Sequence, residues 1–222
     1  MVKETKTHEV TVDVVIFTIR KRGLEVLLIQ REQEPFKDKW AMPGGFVRLS
    51  ENLDEAAKRV LYEKTRVKDV YLEQLHTFGD PMRYPRSRVI TVGYFALIRA
   101  DDIKLAYDES LNIKDINWHK VTKLPPLAFD HGKIIAHAVK KLKTRLDNTP
   151  IAFQLLPKKF TLTEIQQTYE TILTKKLDKR NFRKKVLSSN ILVEHDEFSK
   201  TSSKRPARLY SFSDEVIESH KH

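Results

Sequence analysis

What most constrains this chain is the ratio of strands to helices before residue 145. Five strand-like runs occur there: VTVDVVIFTI (10–19), LEVLLIQ (24–30), VYLEQLHTF (70–78), RVITVGYFALI (88–98) and IKDINWH (113–119). The first two flank Lys21-Arg22-Gly23, which reads as a hairpin turn. Only two helical patterns interrupt them. Leu53, Ala56, Ala57, Val60 and Leu61 share one helical face, and Ile134, Ile135, Ala138, Val139 and Leu142 share another. Few helices among many strands suggest a mixed sheet. The expected architecture is therefore α/β, a mixed sheet sandwiched by helices.

Near RLDNTP (145–150) the pattern changes, and Asn148 and Pro150 mark a linker. The expected division is 1–148 and 149–222. Beyond the linker, Thr161 and Glu164 have the spacing of a capping box, followed by a helix with an inward stripe of Leu162, Ile165, Tyr169 and Ile172. Asp178 can cap a second helix, KRNFRKKVLSS (179–189), with Phe182 and Val186 inward and Arg180, Asn181, Arg183 and Lys184 outward. Seven of the eleven residues from Lys175 to Lys185 are basic and one is acidic. Two strands, ILVEHDEF (191–198) and ARLYSF (207–212), then surround a basic tip containing Lys204, Arg205 and Arg208. Helix, turn, basic helix and hairpin is the order of a winged helix-turn-helix, whose second helix enters the DNA major groove. Arginines suit guanine edges there, and lysines suit phosphates.

Charge agrees with an anionic partner: Lys and Arg outnumber Asp and Glu by 41 to 30, a net +11. There are no cysteines, so neither a disulfide framework nor a thiolate metal site is available. No basic-then-apolar leader and no run of 18 apolar residues is found, so export and membrane insertion are not expected and a cytoplasmic protein is.

The stretch Gly44–Val67, GGFVRLSENLDEAAKRVLYEKTRV, carries the chemistry. From Gly45, five residues lead to Glu51 and seven more to Arg59-Val60-Leu61-Tyr62-Glu63-Lys64-Thr65-Arg66. This resembles the Nudix box, Gly-x5-Glu-x7-Arg-Glu-apolar-x-Glu-Glu-x-Gly, of hydrolases that cleave nucleoside diphosphates linked to another moiety. Gly45, Glu51, Arg59, Leu61 and Glu63 keep the pattern. Val60 and Lys64 break it where that family carries metal-binding glutamates, and Arg66 replaces the glycine. Positions 60, 63 and 64 lie on one helical surface, and Mg²⁺ needs carboxylate oxygens there. Glu63, even helped by Glu51 or Glu55, makes at most a weak Mg²⁺ site, and no metal is expected to be required. A fold that cradles a nucleotide without hydrolysing it is a sensor.

A degenerate Nudix domain followed by a winged helix resembles the Nudix-related transcriptional regulators (NrtR-like). The phrases LPPLAFDHGKIIAHA, IAFQLLPKKFTLTEIQQTYE and LDKRNFRKKV also look like members of that family. The resemblance implies a homodimeric bacterial repressor of NAD-metabolism genes that binds a palindromic operator on double-stranded DNA and releases it on binding ADP-ribose; some relatives respond to sugars such as arabinose. Arg83, Arg86 and Arg88, in a loop before a strand, offer guanidinium forks to phosphate or carboxylate, or else form a solvated basic loop. Effector contacts are expected at them and at Arg31, Trp40, Met42, Gly44, Gly45, Glu63, Asp130 and His131. Asp130 has an alternative reading as the N-cap of the helix that begins at His131. The rival reading is an ADP-ribose or nucleotide-sugar pyrophosphatase with a basic accessory tail, against which Val60 and Lys64 argue. A module that binds neither ligand nor DNA leaves the asymmetric basic helix unexplained.

Overall fold

The computed structural model describes residues 8–68, 70–103, 105, 113–148, 151–199 and 206–218. The main sheet holds β1 (Glu9–Arg20), β2 (Gly23–Arg31), β3 (Trp40–Ala41), β4 (Gly44–Phe46), β5 (Tyr71–Phe78), β6 (Val89–Leu97) and β7 (Ile113–Lys120). Its continuous path runs β3-β2-β1-β6-β5, with β4 on β1 and β7 on β2. β1 lies at the centre, parallel to β6 from Glu9↔Val89 to Phe17↔Leu97. Its other edge changes partner along its length. Phe17–Arg20 pair with β2, whereas Thr11–Asp13 pair with β4. Where β1 leaves β2 for β4, the sheet opens.

Alternation along β1 divides the core. Val12, Val14 and Ile16 pack under α1 (Leu53–Thr65) with Ala56, Ala57, Val60 and Leu61. Val15 and Phe17 face the opposite side, under α2 (His131–Asn148) with Ile134, Ile135, Ala138 and Leu142. Helices thus cover both faces, as expected. A capping box between Asn52 and Glu55 starts α1, and Arg66, at φ 56°, ends it in the left-handed conformation.

The C-terminal part contains β8 (Phe160–Thr161), α3 (Leu162–Leu173), α4 (Lys179–Ser188), β9 (Leu192–Phe198), β10 (Arg208–Phe212) and α5 (Asp214–Glu218). Both expected caps are present: Thr161 and Glu164 form a capping box, and the Asp178 carboxylate accepts from Asn181 N at 2.8 Å. β8, β10 and β9 make a small antiparallel sheet. Phe160, Ile165, Phe182, Val186, Tyr210 and Phe212 form its core. β8, the 3-10 turn Ile151–Leu155 and α5 carry no periodic signal long enough to read from sequence.

The two parts share α3. Ile165 sits in the small core, while Ile172, two turns on, sits in the main core with Leu142 and Leu146 of α2. Tyr169 lies between them and meets Phe182 of α4 edge to face, at 5.3 Å between ring centroids. Among the described residues no helix is long and apolar enough to cross a membrane.

Candidate functional site

The opening beside β1 forms a cleft of about 260 Å³. Asp13 of β1, Arg31 at the end of β2, and Met42, Gly44 and Gly45 before α1 line one part of it. Arg83, Tyr84, Phe129 and His131 complete the wall. Gly44 is required by close approach: a Cβ there would overlap the Asp13 carboxylate and lie 3.1 Å from the carbonyl oxygen of Val12.

An ion cluster forms the floor. Arg83 donates from Nε and Nη2 to Asp130 at 3.2 and 2.9 Å, and from Nη2 to Asp13 at 3.3 Å. The carboxylate of Asp130 therefore serves Arg83 rather than capping α2. Met42 N donates to His131 Nδ1 at 2.9 Å, which makes that nitrogen an acceptor, and Nε2 faces Asp13 Oδ1 at 3.8 Å. Burial lowers the His131 pKa, against the pull of Asp13 and Asp130, so the imidazole is neutral.

The upper wall is aromatic. Phe129, held at φ 53°, stacks on Tyr84 at 5.5 Å and 14°, and meets Phe36 edge-on at 4.8 Å. The Arg31 guanidinium lies 5.0 Å from the Phe129 ring centroid and donates to the carbonyls of Pro35 and Gln33. Burial lowers its pKa from the ordinary value. Arg31 makes no ion pair among the described residues, so its charge is available to an anion, whereas the charge of Arg83 is already neutralised by two carboxylates. The cleft can hold a flat ring against Phe129 and Tyr84 and an anionic group beside Arg31.

Several sequence expectations are relocated. Trp40 packs edge-to-face on His119 at 4.4 Å and against the α2-side core, outside the cleft wall. Arg86 is exposed and Arg88 is half-buried beside Gly79; neither lines the cleft, because the loop turns after Tyr84. Glu63 belongs to a separate cluster. Arg59 grips Glu51 at 2.6 and 2.8 Å, reaches Glu63 at 3.3 Å, and donates to the carbonyl of Phe46. Arg48 lies 3.7 Å from Glu63. Hydrogen bonding from Arg59 holds Glu51 down at about 2. Val60 and Lys64 are buried. Asp13, Tyr84 and Phe46 were not anticipated. The signal for Asp13 was available: a lone acid at an inward position of an otherwise apolar strand needs a buried partner.

On α4, Arg180, Asn181 and Lys184 are exposed on the side opposite Phe182 and Val186. Arg183 is half-buried and donates to Thr163 Oγ1 of α3 at 3.2 Å, so it braces α3 rather than projecting outward. Arg208 lies on β10, ion-paired with Glu194 and 5.4 Å from the Phe198 ring. Lys204 and Arg205 lie outside the described residues.

A Nudix-type sheet with a polar cleft, joined through α3 to a winged helix with an exposed basic face, defines the class: a Nudix domain fused to a DNA-binding domain. The NUDIX domain pattern matches residues 7–138, and that of the NrtR DNA-binding winged helix domain matches residues 152–212. The chain belongs to the NrtR family of Nudix-related transcriptional regulators. It is 41% identical over 204 residues to the ADPR responsive transcriptional repressor NtrR of Acinetobacter baylyi, covering 91% of this chain and 81% of the relative. Shewanella oneidensis NrtR, solved with a 27mer DNA, superposes with a TM-score of 0.82 at 33% identity over 94% of this chain and 95% of its own. The NUDIX domain of that protein, solved with ADP ribose, gives a TM-score of 0.56 at 37% identity over 62% of this chain and 90% of its own.

Proposed function

We propose that this chain is a homodimeric, cytoplasmic bacterial repressor of NAD-metabolism genes that binds a palindromic operator and releases it when ADP-ribose enters the cleft beside β1. Residues 1–148 form the effector domain and 149–222 the DNA-binding domain. One observation carries the reading: the acids of the box are tied to Arg59 while, on the same chain, α4 presents Arg180, Asn181 and Lys184 to solvent.

The residues of the box do not suit Mg²⁺. A divalent cation would have to displace Arg59 from Glu51 and Glu63, and the two further positions hold the buried side chains of Val60 and Lys64. Binding without turnover follows. In the cleft, Arg31 is the partner for the pyrophosphate and Phe129 with Tyr84 the partner for the adenine face.

Release is supported by the placement of α2. Its first residue, His131, lies in the cleft wall, and its last turns meet Ile172 of α3, the helix that also carries the DNA-binding core. At 1.5 Å per residue the helix spans about 27 Å. Lys143 of α2 also donates to Thr174 Oγ1, in the turn that leads to α4, at 3.0 Å.

The test is calorimetry with ADP-ribose, NAD, arabinose and ATP, combined with competition against bound operator DNA and an assay of ADP-ribose hydrolysis with Mg²⁺. ADP-ribose should bind, dissociate the DNA and remain intact. Turnover within a few-fold of an ordinary Nudix hydrolase would overturn the non-enzymatic reading, and arabinose binding alone would replace the effector.

A further inference from the structure

The tip of the β1–β2 hairpin has the wrong residues for its shape. Arg20 pairs with Gly23, leaving Lys21 and Arg22 as a two-residue loop, at φ 46° and 59°. Two successive left-handed residues make a type I′ turn, for which Asn-Gly is the favoured pair and long L side chains are strained. Both cations are exposed, and neither makes an ion pair among the described residues. Backbone economy does not explain a Lys-Arg pair at this point; charge does.

The location adds a second observation. The hairpin end packs on the C-terminal half of α3, and Arg22 lines a shallow groove of about 310 Å³ with Thr171, Thr174, Lys175 and Lys176. The one carboxylate there, Glu170, is engaged. It accepts from Lys176 at 3.0 Å, from Gln166 at 3.0 Å and from Leu177 N at 3.0 Å, and these bonds hold it down at about 2. Arg22 and Lys175 thus share one groove, Lys21 stands next to Arg22 at the exposed tip, and none of the three is ion-paired among the described residues. The groove spans the two domains at the turn that leads into α4, beside the end of that helix directed at base edges.

We infer that the hairpin tip of the Nudix domain is a second nucleic-acid contact, in which Lys21 and Arg22, continuous with Lys175 in the turn, grip the phosphate backbone next to the groove entered by α4. This rests on the DNA-binding reading above and deepens it. Contacts of this kind position the protein without reading sequence. They also make the effector domain part of the DNA footprint, so a shift of that domain against the winged helix weakens binding directly.

The test uses the full chain and a fluorescently labelled duplex of random sequence, with affinity measured by anisotropy over a range of KCl concentrations. In Lys21→Asn/Arg22→Gly the favoured turn pair is installed and both charges are lost. Its Tm should be at least that of the parent, while the slope of log K against log salt falls by about 0.9 for each phosphate contact removed, about 1.8 per protomer. Base preference on selected sequences should not change. Parent-like affinity and slope in this folded variant would overturn the inference and leave the patch to an acidic polypeptide. Lys184→Ala, which removes an exposed lysine of α4, separates the two levels. If it weakens binding while the hairpin variant does not, only the hairpin contact fails; if it has no effect either, the DNA-binding reading fails with it.

Discussion

Replacing Arg83 by Met keeps most of the stem and removes the guanidinium from the centre of the cleft floor. The Arg83 side chain is 4% exposed, and its partners Asp13 and Asp130 are 10% and 12% exposed. The wild-type charges compensate one another across three hydrogen bonds of 2.9 to 3.3 Å. The variant leaves two carboxylates without a counter-charge in a site that water reaches poorly. Breaking a buried pair in this way costs about 3–5 kcal/mol, a large part of a stability of about 5–15 kcal/mol. Both tryptophans, Trp40 and Trp118, lie in the main sheet domain, so urea unfolding followed by their fluorescence reports on it specifically. Adding Asp130→Asn to Arg83→Met removes one stranded charge and should recover about 1.5–3 kcal/mol. The deficit also has a pH signature. Unpaired buried carboxylates have raised pKa values, so between the unfolded and raised values the folded variant binds more protons than the unfolded chain and gains stability as pH falls. A loss below about 1 kcal/mol at neutral pH with an unchanged m-value, or a deficit that does not shrink toward acid pH, would refute the reasoning.

Arg66→Gly should raise stability by about 0.5–1 kcal/mol, seen as a higher Tm by calorimetry, because Arg66 ends α1 at φ 56°, a conformation glycine adopts freely. His131 has a folded pKa below its ordinary 6.5. The unfolded chain therefore takes up its proton first, and stability is lost as pH falls from 6.5 toward the folded value, by up to about 1.4 kcal/mol per pH unit. His131→Asn, which keeps an acceptor for Met42 N–H, should flatten that limb in urea titrations, leaving the share of His119, whose pKa is also lowered by burial. On α4, Arg180→Ala should cost about 1–3 kcal/mol of operator affinity and relax base preference at one position. Lys184→Ala should weaken all sequences alike and lower the salt slope by about 0.9 per protomer. Arg183→Ala, because its side chain braces Thr163, should instead lower the Tm.

Much of the fold was legible because its signals are local. Strand-like apolar runs located five of the long strands, the 3.6-residue stripe located α1 and α2, and side-chain spacing alone located the caps at Thr161 and Asp178. β3, β4 and β8 are two or three residues long and carry no period to read. The cleft was legible in part for the same reason. Gly44, Gly45 and Met42 belong to one contiguous motif, and Arg31 and His131 end or begin elements that point at it. What escaped is pairing across the chain. Arg83 could be identified as a basic loop residue, but nothing near it shows that partners 70 and 47 residues away neutralise it, or that Arg86 and Arg88 turn aside. Arg183 has the spacing of an outward residue, yet the crossing of α3 and α4 brings Thr163 within reach of it.

The box is also a structural device that ties its glycine turn to α1. Arg59 joins the loop carbonyl of Phe46, the Glu51 carboxylate and the Glu63 carboxylate, tying the glycine turn to α1 from both ends. Glu51 also accepts from Arg48 N at 2.9 Å, closing the loop on itself. None of these bonds involves position 60 or 64. Val60 instead fills the space beside Gly45, where a Cβ on the glycine would stand 3.4 Å from Val60 Cγ2, and joins the core between α1 and β1. A carboxylate at that position would be buried against apolar neighbours unless a cation or water reached it. Valine suits the apolar surroundings of position 60, while Glu51, Arg59 and Glu63 hold the glycine loop on α1. Glu51, Arg59 and Glu63 thus keep the motif's spacing through partners that lie within the box.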